Sequence, residues 1–218
     1  MAESEDVAQP PDTDKPRAYV PPGPGAMPSL VLGLGRRLQL PYLLAHHDSR
    51  LLLALFSFVN GCLSIAIMSL AALATDEPFV FPSLGPTAFL FFYTPLVPAA
   101  SPRNTICGHL IGAAMGYLSL VIFGLTDEGS AIAAGVDASR VGAAALSLGL
   151  TSGLMILLGT PHPPAGATTL IFSLGVLTEV EQLAVLMLAV VLLTGQGFVI
   201  NRLAGLPFPL WKPAEPAS

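Results

Sequence analysis

Thirty-eight consecutive residues, 141–178, contain no Asp, Glu, Lys or Arg. Four further stretches, 51–75, 78–102, 104–126 and 182–201, are equally free of these charges. A transmembrane helix needs about 20 predominantly apolar residues, and every one of these stretches is long enough. Of the 23 charged residues in the chain, only 9 fall in the 151 residues from position 51 to 201. A soluble domain carries about a quarter charged residues, against 11% here. The pattern defines an all-α, polytopic membrane protein and excludes a soluble globular enzyme. With a net charge of −5 and no basic stripe, it also excludes a nucleic-acid partner. Cys62 and Cys107 lie inside apolar runs, where they read as small buried hydrophobes rather than a disulfide framework.

The longest stretch exceeds one crossing. It breaks at Gly159-Thr160-Pro161-His162-Pro163-Pro164, where three prolines forbid a continuing helix. Six membrane segments follow: Leu51–Ala74, Phe79–Pro98, Asn104–Leu125, Val141–Leu158, Pro164–Leu177 and Leu183–Ile200. The second is interrupted by Pro82, Pro86 and Pro95, and the fifth is short for a span. Placing both termini in the cytoplasm puts Arg36, Arg37, Arg50, Arg103, Arg202 and Lys212 inside and Arg140 outside. This satisfies the positive-inside rule. Four full spans with two re-entrant segments would also leave both termini inside. That arrangement moves Arg103 to the opposite side, so the charges favour six.

Residues 1–28 hold seven prolines and start acidic, the signature of a disordered tail rather than a signal peptide. Residues 29–50 form an interfacial segment, with Arg36 and Arg37 set among leucines. Residues 201–218 form a proline-rich C-terminal tail in which Trp211 and Lys212 suit the membrane interface.

A shift of 81 positions aligns the two broken segments. Pro82, Gly85, Thr87 and Phe91 fall on Pro163, Gly166, Thr168 and Phe172, four identities in ten. The halves, 51–125 and 141–200, each run span, proline-glycine break, short helix, span. Three crossings per half invert the second relative to the first, an arrangement found in many secondary transporters, where interrupted helices mark the substrate site. Irregular backbone at membrane depth survives only where protein covers it or it lines a wet cavity. The short helices start near Gly85-Pro86 and Gly166-Ala167, and inversion brings the starts together near the midplane. Unpaired N–H groups are expected at Thr87, Ala88, Ala167, Thr168 and Thr169. Two positive helix ends, together with the hydroxyls of Thr87, Thr168 and Thr169, favour a small anion. The plainer alternative is a pair of kinks where neighbouring helices pack.

Pro161-His162-Pro163-Pro164-Ala165-Gly166-Ala167-Thr168 resembles the signature of the HPP family of bacterial and plastid integral membrane proteins. Leu84-Gly85-Pro86-Thr87-Ala88, then Pro102-Arg103-Asn104 and Gly108-His109, is similar to a second block of that family, so the likeness covers about residues 50–200 as one transmembrane domain. The resemblance implies transport of nitrite or a related anion, because chloroplast and cyanobacterial members are associated with nitrite. It also implies four spans, against the six counted from the hydropathy.

Two histidines stand in the membrane region. His162, at the mouth of the second break, either carries a proton with the substrate, or caps its turn or bonds a free carbonyl. His109, inside the third segment, donates to the substrate, forms half of a proton relay with His162, or makes an interhelical hydrogen bond. Arg103 is a topology anchor or an anion attractor in a cytoplasmic vestibule. Asn104 orients the nearby break or bonds the substrate. Gly108, Gly112 and Gly116, spaced by four, predict tight helix packing, within the chain or between subunits. His46, His47 and Asp48 lack further ligands nearby and are read as interfacial, with no metal or other cofactor expected.

The expectation is a secondary transporter of a small inorganic anion in a bacterial cytoplasmic (inner) membrane, homo-oligomeric, with a possible co-transported proton. Its substrate site comprises Gly85, Thr87, Ala88, Asn104, His109, His162, Gly166, Ala167, Thr168 and Thr169. A channel of the same architecture is the alternative. An intramembrane enzyme built on His109 and His162 is the weakest reading, since no nucleophile or carboxylate is placed beside them.

Overall fold

The computed structural model describes residues 39–213, so the disordered tail expected at 1–28, Arg36, Arg37 and the last five residues lie outside the described part. Among the described residues the protein is all-helical, with eight α-helices: α1 (Leu40–His46), α2 (Ser49–Thr75), α3 (Leu84–Tyr93), α4 (Pro102–Ile122), α5 (Ala131–Ala134), α6 (Ala138–Leu157), α7 (Ala165–Ser173) and α8 (Val180–Leu203). Four of them, α2, α4, α6 and α8, are long and apolar enough to cross a membrane. The second and fifth expected segments differ from the other four. Each consists of an irregular approach followed by a helix of only 10 residues (α3) or 9 residues (α7). At 1.5 Å per residue, such helices reach about halfway through the hydrocarbon.

Helix starts follow local chemistry. Asp48 accepts from the Leu51 N–H at the start of α2, Ser101 from Asn104 N–H before α4, and Asp137 from Arg140 N–H before α6. Glu179 and Gln182 form a reciprocal capping box on α8. Asp48 is thus a cap, while His46 and His47 point their Nδ1 atoms at the carbonyls of Tyr42 and Leu43, one turn back.

Side-chain bonds to chain ends fix the helix directions. The Arg103 guanidinium, at the start of α4, donates to the carbonyls of Leu158 and Gly159 just past the end of α6. Arg140, near the start of α6, donates to Ser173 O at the end of α7 and to the Glu128 and Gly129 carbonyls. Asn201, near the end of α8, donates to Phe91 O near the end of α3. Therefore α3 runs toward the end of the bundle that holds Arg103, and α7 runs away from it. The packing is also consistent with exchange of the halves: α2 against α3 matches α6 against α7, and α3 against α8 matches α7 against α4.

The core lies around α3, α7 and α8. Phe91, Phe92, Phe172 and Phe208 are fully buried in it, and Phe91 meets Phe208 edge-on with ring centroids 5.9 Å apart. The α4 glycines seat α7 within the chain. A Cβ on Gly112 would stand 2.6 Å from Ala165 O, and one on Gly108 would stand 2.7 Å from His162 Cβ. Cys62 corrects its expected burial. It faces outward on α2, which packs along one edge and turns most of its surface away from the bundle.

Candidate functional site

Where α3 and α7 begin, four polar side chains meet in the interior. His109 sits one turn above Thr105 on the buried face of α4, beside Gly108, Gly112, Ala113 and Gly116. Glycine on that face brings the α7 backbone close enough for Thr168 to reach the ring. His109 Nδ1 lies 2.7 Å from Thr168 Oγ1, and its Nε2 lies 2.9 Å from Thr87 Oγ1. The two threonines paired by the 81-residue shift therefore hold opposite nitrogens of one imidazole. His162 completes the cluster: its Nε2 is 3.2 Å from both Thr87 Oγ1 and His109 Nε2, and its Nδ1 is 2.7 Å from the Ala99 carbonyl. All four side chains are completely buried.

The expected backbone donors are absent from one of the two helix starts. Ala165 and Gly166 N–H donate to His162 and Pro163 carbonyls, and Ala167 and Thr168 N–H both donate to Pro164 O. Pro163 and Pro164 have no N–H to offer. Prolines thus occupy the positions that would carry orphan donors, and the first turn engages the rest. The donors that face the cluster from α7 belong to side chains.

The remaining expected residues are placed less centrally. Asn104 donates to Pro98 O at 3.0 Å and Pro161 O at 3.4 Å, tying the loop after α3 to the second break, with its Oδ1 buried and without a partner among the described residues. Thr169 is buried, and its hydroxyl has no partner among the described residues. Ala88 joins the apolar core. Gly85 is exposed, with open space where a Cβ would stand. Gly166 and Ala167 are half-buried, and Gly166 faces Leu148 of α6. Arg103 spends both terminal nitrogens on the α6 carbonyls, 3.1 Å each. Thr105, 3.5 Å from His162 Nδ1, and the Ala99 carbonyl escaped the sequence reading. Thr105 was within reach of it, since 105, 108, 109, 112 and 116 share one helical face. The Ala99 carbonyl carries no side-chain signal.

A cavity of about 600 Å³ opens at the other end of α4, lined by Tyr117, Thr126, Asp127, Thr178, Glu179, Val180 and Glu181. Its three carboxylates make it a poor resting place for an anion.

The four apolar helices and the polar cluster at two broken segments define an integral membrane protein of polytopic α-helical type. The HPP transmembrane region matches residues 46–209, and the chain belongs to that family. Two transmembrane proteins of Dictyostelium discoideum are each 32% identical to it over 118 residues, 54% of this chain. The matched region spans only 38% and 34% of their lengths. No solved structure matches the chain.

Proposed function

We propose that this membrane protein is a secondary transporter of a small inorganic anion, with nitrite as the first candidate from the family resemblance. The observation that carries the reading is the placement of Thr87 and Thr168 on opposite nitrogens of His109. Each threonine lies in the first turn of a short helix, and the two helices run in opposite directions. Both positive helix ends therefore face one buried polar point. An anion entering it takes hydrogen bonds from hydroxyl and imidazole donors, which turn from each other toward it.

In this reading the six segments form two inverted repeats, and the site lies between them near the midplane. Opposed helix directions and exchange-consistent packing support it. The basic end with Arg103 faces the cytoplasm of a bacterial cell, and the acidic end with Asp127 and Glu179 faces out, as the positive-inside rule requires. The protein works as a homo-oligomer, and the histidines bind rather than catalyse. The test is nitrite and nitrate flux in liposomes containing purified protein. Replacing Thr87 and Thr168 together by Val is expected to lower flux by at least about tenfold, the equivalent of ~1.4 kcal/mol. Unchanged flux in the folded double variant removes the site. A flux that saturates only at high anion concentration selects a channel.

A further inference from the structure

One atom that can only accept sets the direction of every hydrogen bond in the histidine cluster. The Ala99 carbonyl lies 2.7 Å from His162 Nδ1, so that nitrogen bears the hydrogen and the Nε2 of a neutral His162 is bare. His109 Nε2 stands 3.2 Å from this bare nitrogen. Two lone pairs at that distance would repel, so His109 carries its own hydrogen on Nε2. Its Nδ1 then accepts from Thr168, 2.7 Å away. A continuous chain follows: Thr168 O–H to His109 Nδ1, His109 Nε2–H to Thr87 Oγ1, Thr87 O–H to His162 Nε2, His162 Nδ1–H to Ala99 O.

Thr87 alone has two places to put its hydrogen. Besides His162 Nε2 at 3.2 Å, its hydroxyl reaches the Ser83 carbonyl at 3.1 Å, one turn back. Thr168 Oγ1 has His109 Nδ1 as its hydrogen-bond partner among the described residues. The two imidazoles are therefore not equivalent toward an added proton. At His109 Nδ1 an incoming proton leaves the Thr168 hydrogen without an acceptor. At His162 Nε2 the Thr87 hydrogen swings to Ser83.

We propose, resting on the transporter reading, that His162 Nε2 binds one proton that travels with each anion and that the Thr87 hydroxyl is the switch that admits it. The proton comes from water and adds to the Nε2 lone pair. The O–H bond of the donating hydronium breaks as this N–H bond forms, and the same proton returns to water at the end of the passage. Thr87 Oγ1 turns its hydrogen to Ser83 O and uses its two lone pairs to accept from His162 Nε2–H and His109 Nε2–H.

The coupling to the anion comes from charge. The groups that face His162 are His109 and Thr105 from α4, Thr87 from α3 and the Ala99 carbonyl. Arg103, also from α4, holds the Leu158 and Gly159 carbonyls just before the break. No carboxylate is among them. A lone proton leaves a buried positive charge uncompensated, and a lone anion leaves a negative one. Loaded together they are neutral, so each raises the affinity for the other. Transport of a monovalent anion is then electroneutral, one proton per anion.

Two measurements test this. In proteoliposomes with the voltage clamped to zero, nitrate uptake is expected to reach about tenfold accumulation for each pH unit by which the outside is more acidic than the inside. Nitrite is measured beside it, with protein-free vesicles subtracted for leak of the free acid. Thr87→Ser, which keeps the hydroxyl, retains this drive, and Thr87→Val and His162→Gln lose it, so that any uptake they keep follows voltage instead. Uptake that follows voltage and ignores the pH gradient overturns the coupling and leaves the transporter standing. No uptake of either anion overturns the transporter reading itself. Independently, 15N NMR of the full chain in bilayers is expected to show neutral His162 protonated on Nδ1 and His109 on Nε2. A neutral His162 carrying its hydrogen on Nε2 overturns the switch even if every variant fails to fold.

Discussion

Gly112 of α4 lies so close to Ala165 of α7 that a Cβ on the glycine would stand 2.6 Å from the alanine carbonyl oxygen. That contact sets the spacing on which the candidate site depends, because Thr168 reaches His109 only while α7 rests on α4. Gly112→Ala is expected to push α7 away and to lower stability by about 1–3 kcal/mol, the usual range for overpacking. Gly61→Ala, where a Cβ meets nothing within 4 Å, is expected to be neutral or to stabilise by up to ~1 kcal/mol. Thermal melting of the two variants in the same detergent checks the pair, and equal melting shifts would refute the close-seating account.

Arg140 is buried and makes its hydrogen bonds with three carbonyls, those of Glu128, Gly129 and Ser173. Arg140→Ala leaves those oxygens without their charged donor. A loss of about 2–4 kcal/mol is expected, from hydrogen bonds to a charged group worth ~1.5–3 kcal/mol each, offset by removal of a buried charge. Limited proteolysis should find the 126–137 loop cut faster than in the parent protein. Unchanged cutting would show that Arg140 does not fasten the loop.

Asn201 ties the end of α3 to α8, donating to Phe91 O at 2.9 Å and to Gly197 O at 2.8 Å. Asn201→Leu removes both bonds from a fully buried position. Melting is expected to fall by ~1–3 kcal/mol equivalent. Anion uptake should fall with it, because α3 carries Thr87. A variant as stable as the parent would show that the core phenylalanines alone hold α3.

Topology is checked by cysteine labelling after Cys62→Ser and Cys107→Ser. Glu77→Cys and Asp127→Cys are expected to react with a membrane-impermeant reagent from outside intact cells, and Arg202→Cys only after the cells are opened. Labelling of Glu77→Cys and Arg202→Cys from the same side would rule out the inverted arrangement.

Much of the architecture was legible from residue order. Proline spacing located both breaks within a few residues, since proline removes a helix hydrogen bond wherever it sits. Every end of the four long helices lies within three residues of its expected bound, with the third and fourth segments ending at Ile122 and Leu157 rather than Leu125 and Leu158. The α4 glycine spacing pointed to a close helix partner but not to which one. The two histidines were singled out because a titratable side chain in an apolar run is rare. The loss of backbone donors on α7 was harder to see. It depends on the turn formed by Pro163 and Pro164, which satisfies the first amides itself.

By itself the order of residues determined that this chain lives in a membrane as helices, where it breaks and which polar side chains sit at depth. These follow from solvation and from local backbone limits, which act over a few residues at a time. Only the tertiary structure decided that Thr87 and Thr168 share one imidazole, that Ala99 O orients the other, and that Arg103 caps α6. Such contacts join positions 22 to 63 residues apart. No local rule reaches that far, because they form only once α7 settles into the glycine face of α4.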